Sequence, residues 1–259
     1  MTVIMNKYRL IEKLGKGNFA LTFKAENIRT KEQVAVKIES YNNTSDDNSI
    51  LLLKHEASIY KDLKAISCVP SMRWYGKDDN FYYMVIDLKG MDLQTYMRNV
   101  SLTKLDKRNI MITLIENFQS IHEQKIIHRD IKPENILVDV NKGPCRLYII
   151  DFGFATRHND KNKERKTNNI IGTINYASKS AHHRHWVSYK DDLESLGYMY
   201  FYLLNNALPW PSNIDECDVL NLKTNFGWTE PFHSFMTYIN SLNFCDIPNY
   251  KRIINIITI

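Results

Sequence analysis

A two-lobed α+β protein, with a small strand-rich first lobe carrying one helix and a larger helical second lobe, is the architecture this chain predicts. Three observations carry that expectation. The first ninety residues hold β-branched and alternating runs, and beyond Gly90 the apolar spacing becomes helical. The third is scale: 259 residues with 44% hydrophobic and 24% charged side chains suit one large domain or two coupled lobes with a cleft between them.

The elements follow in order. Tyr8–Leu14 and Leu21–Ile28 read as strands flanking a glycine-bearing turn, and Gln33–Ile38 (QVAVKI) is a β-branched strand. Asn42–Ser49 is polar and loop-like, and Ile50–Leu63 is helical, with Leu52, Ile59 and Leu63 at helical spacing. Strands are expected around Met72–Tyr75 and Phe81–Leu88. Asp106–Gln124 carries Ile110, Leu114, Phe118 and Ile121 on one stripe, which is the pattern of a long amphipathic helix. Asn135–Val138 and Arg146–Ile150 are short strand-like runs. Asp191–Leu204, Phe232–Leu242 and Tyr250–Ile257 are the remaining helices, the first with Leu193, Leu196, Tyr200 and Leu203 on one side. The expected division is residues 1–89 and 90–259 of a single domain.

Composition excludes several classes. The chain is neither low-complexity nor collagen-like, and no stretch approaches the ~18 consecutive apolar residues of a membrane helix. The opening MTVIMNKYRL lacks the apolar core of a signal peptide. Cys68, Cys145, Cys217 and Cys245 show no CxxC spacing, so neither a zinc knuckle nor a disulfide framework is indicated. An intracellular setting is expected, cytoplasm or nucleus, and that of a host cell were the source viral. A net charge of +5 is modest for this length. It admits acidic partners, but no nucleic-acid-binding module is recognisable, and a monomer is expected.

Three clusters carry chemistry. Leu14-Gly15-Lys16-Gly17-Asn18-Phe19-Ala20 lies between two strands, where glycines let backbone approach a phosphate. A strand and not a helix follows, which disfavours a dinucleotide fold. Val34-Ala35-Val36-Lys37 ends in a lysine, and Glu56 falls on the inward stripe of the next helix. A buried carboxylate needs a cation, and Lys37 is the natural partner. The third cluster is His128-Arg129-Asp130-Ile131-Lys132-Pro133-Glu134-Asn135, followed by Asp151-Phe152-Gly153. Phosphoryl transfer needs a carboxylate to orient the attacking hydroxyl, hard oxygen ligands for a divalent metal, and cations on the transferring group. Asp130, then Asn135 with Asp151, and Lys132 with Lys37 supply these.

The ordered set of glycine loop, VAVK, HRD-x-K-x-x-N and DFG resembles the eukaryotic-type protein kinases over nearly the whole chain. It is most similar to the casein kinase 1 group, through His55–Tyr60 (HEASIY), Pro70–Gly76 (PSMRWYG), Gly172–Ser178 (GTINYAS), Asp191–Tyr198 (DDLESLGY) and Asn243–Tyr250 (NFCDIPNY). Ala177-Ser178-Lys179 stands where other kinases carry Ala-Pro-Glu. The resemblance implies a two-lobed kinase fold, ATP and Mg²⁺ as cofactors, and transfer to Ser or Thr of protein substrates, with acidic substrates an open option. It places Leu14, Gly15, Lys16, Gly17, Asn18, Phe19, Ala20 and Thr22 over the nucleotide, and Ala35 and Leu137 about the adenine. Ile86 becomes the gatekeeper, and Asp87, Leu88 and Lys89 a hinge whose backbone meets adenine. Asp130, Lys132, Lys37 and Glu56 take the catalytic roles, Asn135 and Asp151 the metal, and Asp192 anchors the catalytic loop. Lys132 points to Ser/Thr specificity.

Several positions depart from the pattern. Ala20 replaces the third glycine and Thr22 the usual apolar residue over adenine, which implies weaker ATP binding. Asn175 stands where the group carries an arginine for an anion near the substrate, and Pro211–Glu230 is shorter than usual with no obvious second basic ligand. The basic stretches Arg157–Lys166 and His182–His185 read more readily as solvated charged loops than as a substitute. The competing reading of the chain is a pseudokinase, a binding or scaffold module on the same fold. Retention of Lys37, Glu56, Asp130, Asn135 and Asp151 favours an active enzyme.

Overall fold

A computed structural model describes residues 2–17, 20–40, 52–140, 145–163, 165–212 and 214–258. The expected loop Asn42–Ser49, the first two residues of the helix expected from Ile50, and the loop residues Asn18 and Phe19 lie outside the described residues. The chain forms two compact units, Met1–Gly90 with Asp139–Gly153, and Met91–Val138 with Phe154–Ile259. A division into two contiguous halves at residue 89 therefore leaves out Asp139–Gly153. That segment is compact with the first unit: Ile149 N–H donates to Cys68 O at 2.8 Å, and Phe152 packs edge-on to Tyr60 at 5.4 Å.

The first unit begins with β1 (Val3–Ile4), β2 (Tyr8–Lys16), β3 (Ala20–Asn27) and β4 (Gln33–Ser40). After α1 (Leu52–Asp62) come β5 (Met72–Lys77) and β6 (Phe81–Asp87). The six strands make one antiparallel sheet in the order β1-β2-β3-β4-β6-β5. Alternation along β4 decides what each face carries. Val34 and Val36 join Ile4, Tyr8, Ala25, Tyr83 and Val85 in a buried cluster, with Ile38 packed against it. The intervening Ala35, Lys37 and Glu39 go to the other face, towards which α1 packs. Glu39 then does local work: its carboxylate accepts the Leu53 N–H at 2.9 Å, capping the start of α1 with an anion where the helix dipole favours one. The buried side of α1 is Leu53, Glu56, Ala57 and Tyr60 with Ile59 and Leu63; Leu52, expected on that stripe, is only half-buried.

The second unit opens with β7 (Met91–Asp92), α2 (Leu93–Asn99), α3 (Lys104–Glu123), β8 (Ile126–Ile127) and β9 (Ile136–Asp139). The strand β10 (Arg146–Ile149) belongs to the first unit. There follow β11 (Thr156–Arg157), α4 (Lys179–His182), α5 (Tyr189–Asn205), α6 (Glu216–Asn225), α7 (Phe232–Ser241) and α8 (Tyr250–Thr258). β7 pairs with β9 and β8 with β11, both antiparallel. The α3 helix starts two residues before its expected position because Thr103 and Asp106 close a capping box. Packing of α3 on α5 and α8, and of α5 on α7, builds the core. The α5 helix is buried nearly all round, so Asp191, Asp192 and Glu194 lie inside with Leu193 and Leu196. Seven of these elements had no expectation: the two-residue strands β1, β7, β8 and β11 and the helices α2, α4 and α6. Among the described residues no helix is long and apolar enough to cross a membrane.

Candidate active site

In the first unit the chemistry gathers around Lys37. Its position on β4 points it to the α1 face, and Nζ donates to Glu56 Oε1 and Oε2 at 2.9 and 2.7 Å and to Asp151 Oδ1 at 2.7 Å. Glu56 is 3% exposed, so it is removed from water almost completely. Burial alone would pull the Lys37 ammonium down, but the charges of Asp151 and Glu56 outweigh it and raise the lysine above its ordinary value. Burial pushes the Glu56 carboxyl up to about 7, the charge of Asp151 adding to it and Lys37 opposing it. Asp151 itself holds a left-handed backbone, with φ of 67°. The expected Lys37–Glu56 pair is present, and Asp151 completes it.

β2 and β3, which flank the glycine loop, pair antiparallel. Gly15 lies within β2 opposite Thr22, and Gly17 N–H donates to Ala20 O at 2.9 Å. Leu14 is exposed, and Lys16 precedes the turn at the end of β2. Ala35 is buried on β4 between Lys24 on β3 and Ile86 on β6. At the expected hinge, the Asp87 carboxylate is held by Arg73 Nε at 2.5 Å and Lys89 Nζ at 3.2 Å. Asp87 N–H donates to Ser71 O at 3.0 Å, which ties the start of the expected hinge to the residue before β5. Lys89 Nζ also sits 4.6 Å from the Tyr148 ring centroid.

In the second unit the centre is Asp130, buried at the end of a short loop. Oδ1 accepts from Thr173 N at 2.8 Å and Thr173 Oγ1 at 2.7 Å, while Oδ2 meets Lys132 Nζ at 2.9 Å and Asn135 Nδ2 at 3.1 Å. Lys132 Nζ also donates to Thr173 Oγ1 at 2.9 Å, and Asn135 Nδ2 to Asp130 O at 2.8 Å. The loop hangs from Asp192 on α5, which accepts His128 N–H at 2.7 Å and Arg129 N–H at 2.9 Å. Burial would raise Asp192, but His122 and these donors hold it below the ordinary carboxylate value. His122 in turn lies 2.9 Å from Asp192 and 2.6 Å from the Tyr250 hydroxyl. Leu137 is half-buried on β9, opposite Asp92.

Gly172 joins the Thr173 segment to this loop. It adopts φ of +99°, and a Cβ there would stand 2.2 Å from Arg129 O, so only glycine allows this approach.

Two residues were missed from sequence. Thr173 was part of the GTINYAS resemblance but had no role, although a hydroxyl beside Gly172 was visible. Lys223 lay in the stretch read as lacking a basic ligand. That stretch contains α6, and Lys223 is buried in it, its Nζ 2.7 Å from both Ile174 O and Ala177 O. The His182–His185 run is also more structured than a solvated loop, since His182 is buried and Arg184 pairs with Glu216 at 2.6 Å.

Each unit thus assembles its own constellation: a lysine shared by two carboxylates in one, and in the other a carboxylate held by a lysine, an asparagine and a threonine. The family model for the protein kinase domain matches residues 8–239, and the chain belongs to that family.

Proposed function

We propose that this protein is an active Ser/Thr protein kinase of the casein kinase 1-like type, using ATP and Mg²⁺. The observation that carries the reading is the bridge at Asp130. Lys132, two residues after it, contacts both Asp130 Oδ2 and Thr173 Oγ1 at 2.9 Å, so the base, a cation and a hydroxyl-bearing loop are held as one unit. In transfer, a substrate Ser or Thr oxygen bonds to the γ-phosphorus as the bond to the β–γ bridging oxygen breaks and ADP leaves with the electron pair. Asp130 accepts the hydroxyl proton, and Lys132 offsets charge on the transferring group.

The residues also fit a divalent cation. Asn135 makes both its bonds through Nδ2, which leaves its oxygen as the hard donor. Asp151 shares one lysine with Glu56, so the ionised trio carries an excess negative charge. Asn135 of the second unit and Asp151 of the first are each a hard oxygen donor of the kind Mg²⁺ takes, and the ion would supply charge neutralisation on the phosphates. Lys37 is kept charged by its two carboxylates and aimed for the α- and β-phosphates.

The test is transfer of ³²P from ATP to casein and to a Ser/Thr/Tyr peptide library, beside Asp130→Asn and Asp151→Asn. Labelling of Ser or Thr that both variants lose is the expected result. Labelling of Tyr alone would overturn the specificity, and transfer equal in the wild type and both variants would overturn the mechanism.

A further inference from the structure

We infer that Lys223 of α6 is a positioning residue for the protein substrate: it grips the backbone of the segment beside Asp130 from behind and fixes its path. The inference rests on the kinase reading above and deepens it.

Thr173 is bonded to Asp130, so the residues after it lie beside the group that meets the attacking hydroxyl. Ile174 is exposed there, an apolar side chain at 40%. This stretch has no sheet or helix ladder of its own before α4, and backbone carbonyls left without partners are costly when buried. Lys223 supplies the partners. Its Nζ is 2.7 Å from Ile174 O, 2.7 Å from Ala177 O and 3.0 Å from His182 Nε2. Two of its N–H donors go to these carbonyls, and His182 Nε2 lies within reach of both Lys223 Nζ and, at 3.3 Å, Ile174 O. Burial, with Lys223 second, pulls the His182 imidazole down to about 4, so it sits neutral beside the lysine. The rings of Tyr198 and Trp210 face the same Nζ at 4.8 and 5.2 Å. Trp210 adds a second hold on the segment, its Nε1–H donating to Asn175 O at 3.2 Å.

A methionine would fill this space without the desolvation a buried cation suffers. What the ammonium adds is a directional hold on Ile174 and Ala177, four residues or fewer from Thr173. Burial draws Lys223 down to about 7, with Glu194 opposing, so the lysine is retained against a real cost.

The test uses the full chain with Lys223→Met, Lys223→Gln (which keeps amide donors) and Trp210→Phe. Hydrogen exchange of residues 172–178, the KM for peptide, the KM for ATP and Tm are measured. Lys223→Met should speed exchange of the Tyr176 and Ala177 amides about tenfold and raise the peptide KM about tenfold, with the ATP KM unchanged. Lys223→Gln should fall between, and Trp210→Phe should shift the same quantities less. Unchanged exchange and peptide KM would overturn the proposal, as would peptide and ATP KM rising together with a fall in Tm. Should Lys223→Met not fold, the other two variants decide by the same criteria. If the wild type transfers no phosphoryl group, the kinase reading fails, and peptide Kd by anisotropy with the exchange data still decides the role of Lys223.

Discussion

Replacing Gly172 by alanine puts a methyl group where the backbone of Arg129 already stands. The new Cβ would lie 2.2 Å from Arg129 O, about 1 Å inside the roughly 3.3 Å that carbon and oxygen tolerate. Both neighbours are backbone, so neither can rotate away. The φ of +99° adds strain of about 1–2 kcal/mol for an L residue. At about 2–4 °C per kcal/mol for a chain near this size, Tm should fall by about 2–8 °C. The functional loss should be larger. Relief by a shift of about 1 Å would carry Thr173 with it and stretch its 2.8 and 2.7 Å bonds to Asp130 Oδ1 beyond hydrogen-bond range. Misplacement on that scale costs about 100-fold in turnover, or about 2.7 kcal/mol of transition-state stabilisation. The assay is steady-state peptide phosphorylation with thermal denaturation, beside Gly227→Ala, whose Cβ would meet nothing within 4 Å. A kcat/KM for Gly172→Ala within about threefold of Gly227→Ala would refute the reasoning.

Lys37→Met leaves Glu56 buried beside Asp151 without a cation; it should lose at least about 100-fold in kcat and about 3–5 kcal/mol of stability, and adding Glu56→Met should restore Tm but not transfer. Acidification through about 7 protonates Glu56 and breaks its pair with Lys37, so kcat/KM should fall on that limb, and Glu56→Gln should abolish the pH dependence there. Stability should not follow, because a carboxyl raised in the fold binds more protons native than unfolded between about 4.5 and about 7, and its contribution declines as pH rises across that window; Asp191, raised to about 6 by burial, acts in the same direction. A Tm that dropped in step with activity on acidification to pH 5 would contradict the assignment. A phosphate three residues before the target should give less than about a tenfold advantage in kcat/KM, since Asn175 is neutral, Lys223 is occupied by carbonyls and Arg184 by Glu216; an advantage above that, persisting at high salt, would refute it.

Most of the chemistry was legible because it is written in short stretches whose residue types have few other uses. Asp130, Lys132 and Asn135 lie within one turn of chain, and their contacts at about 3 Å follow from that proximity. The Lys37–Glu56 pair was legible for a different reason: a carboxylate on the apolar stripe of α1 has to find a cation, and β4 carries one on the same face. Long, strongly periodic elements such as α3 and α5 were visible, to within two residues at their starts, since side-chain capping moves a helix end in ways that periodicity does not register. Short or polar elements were not: α2, α4 and α6 owe their form to packing, not to an apolar repeat. The same holds for Thr173 and Lys223, which meet Asp130 and Ala177 across 43 and 46 residues. No local pattern says which distant acceptor a hydroxyl or an ammonium will face. Asp151 as a second carboxylate on Lys37, 114 residues away, was likewise decided only when the chain folded. The sequence by itself determined the kind of chemistry, because reactive groups are scarce and their spacing is short; the tertiary structure decided which backbone that chemistry is braced against, because burial and long-range hydrogen bonding exist only once the elements have packed.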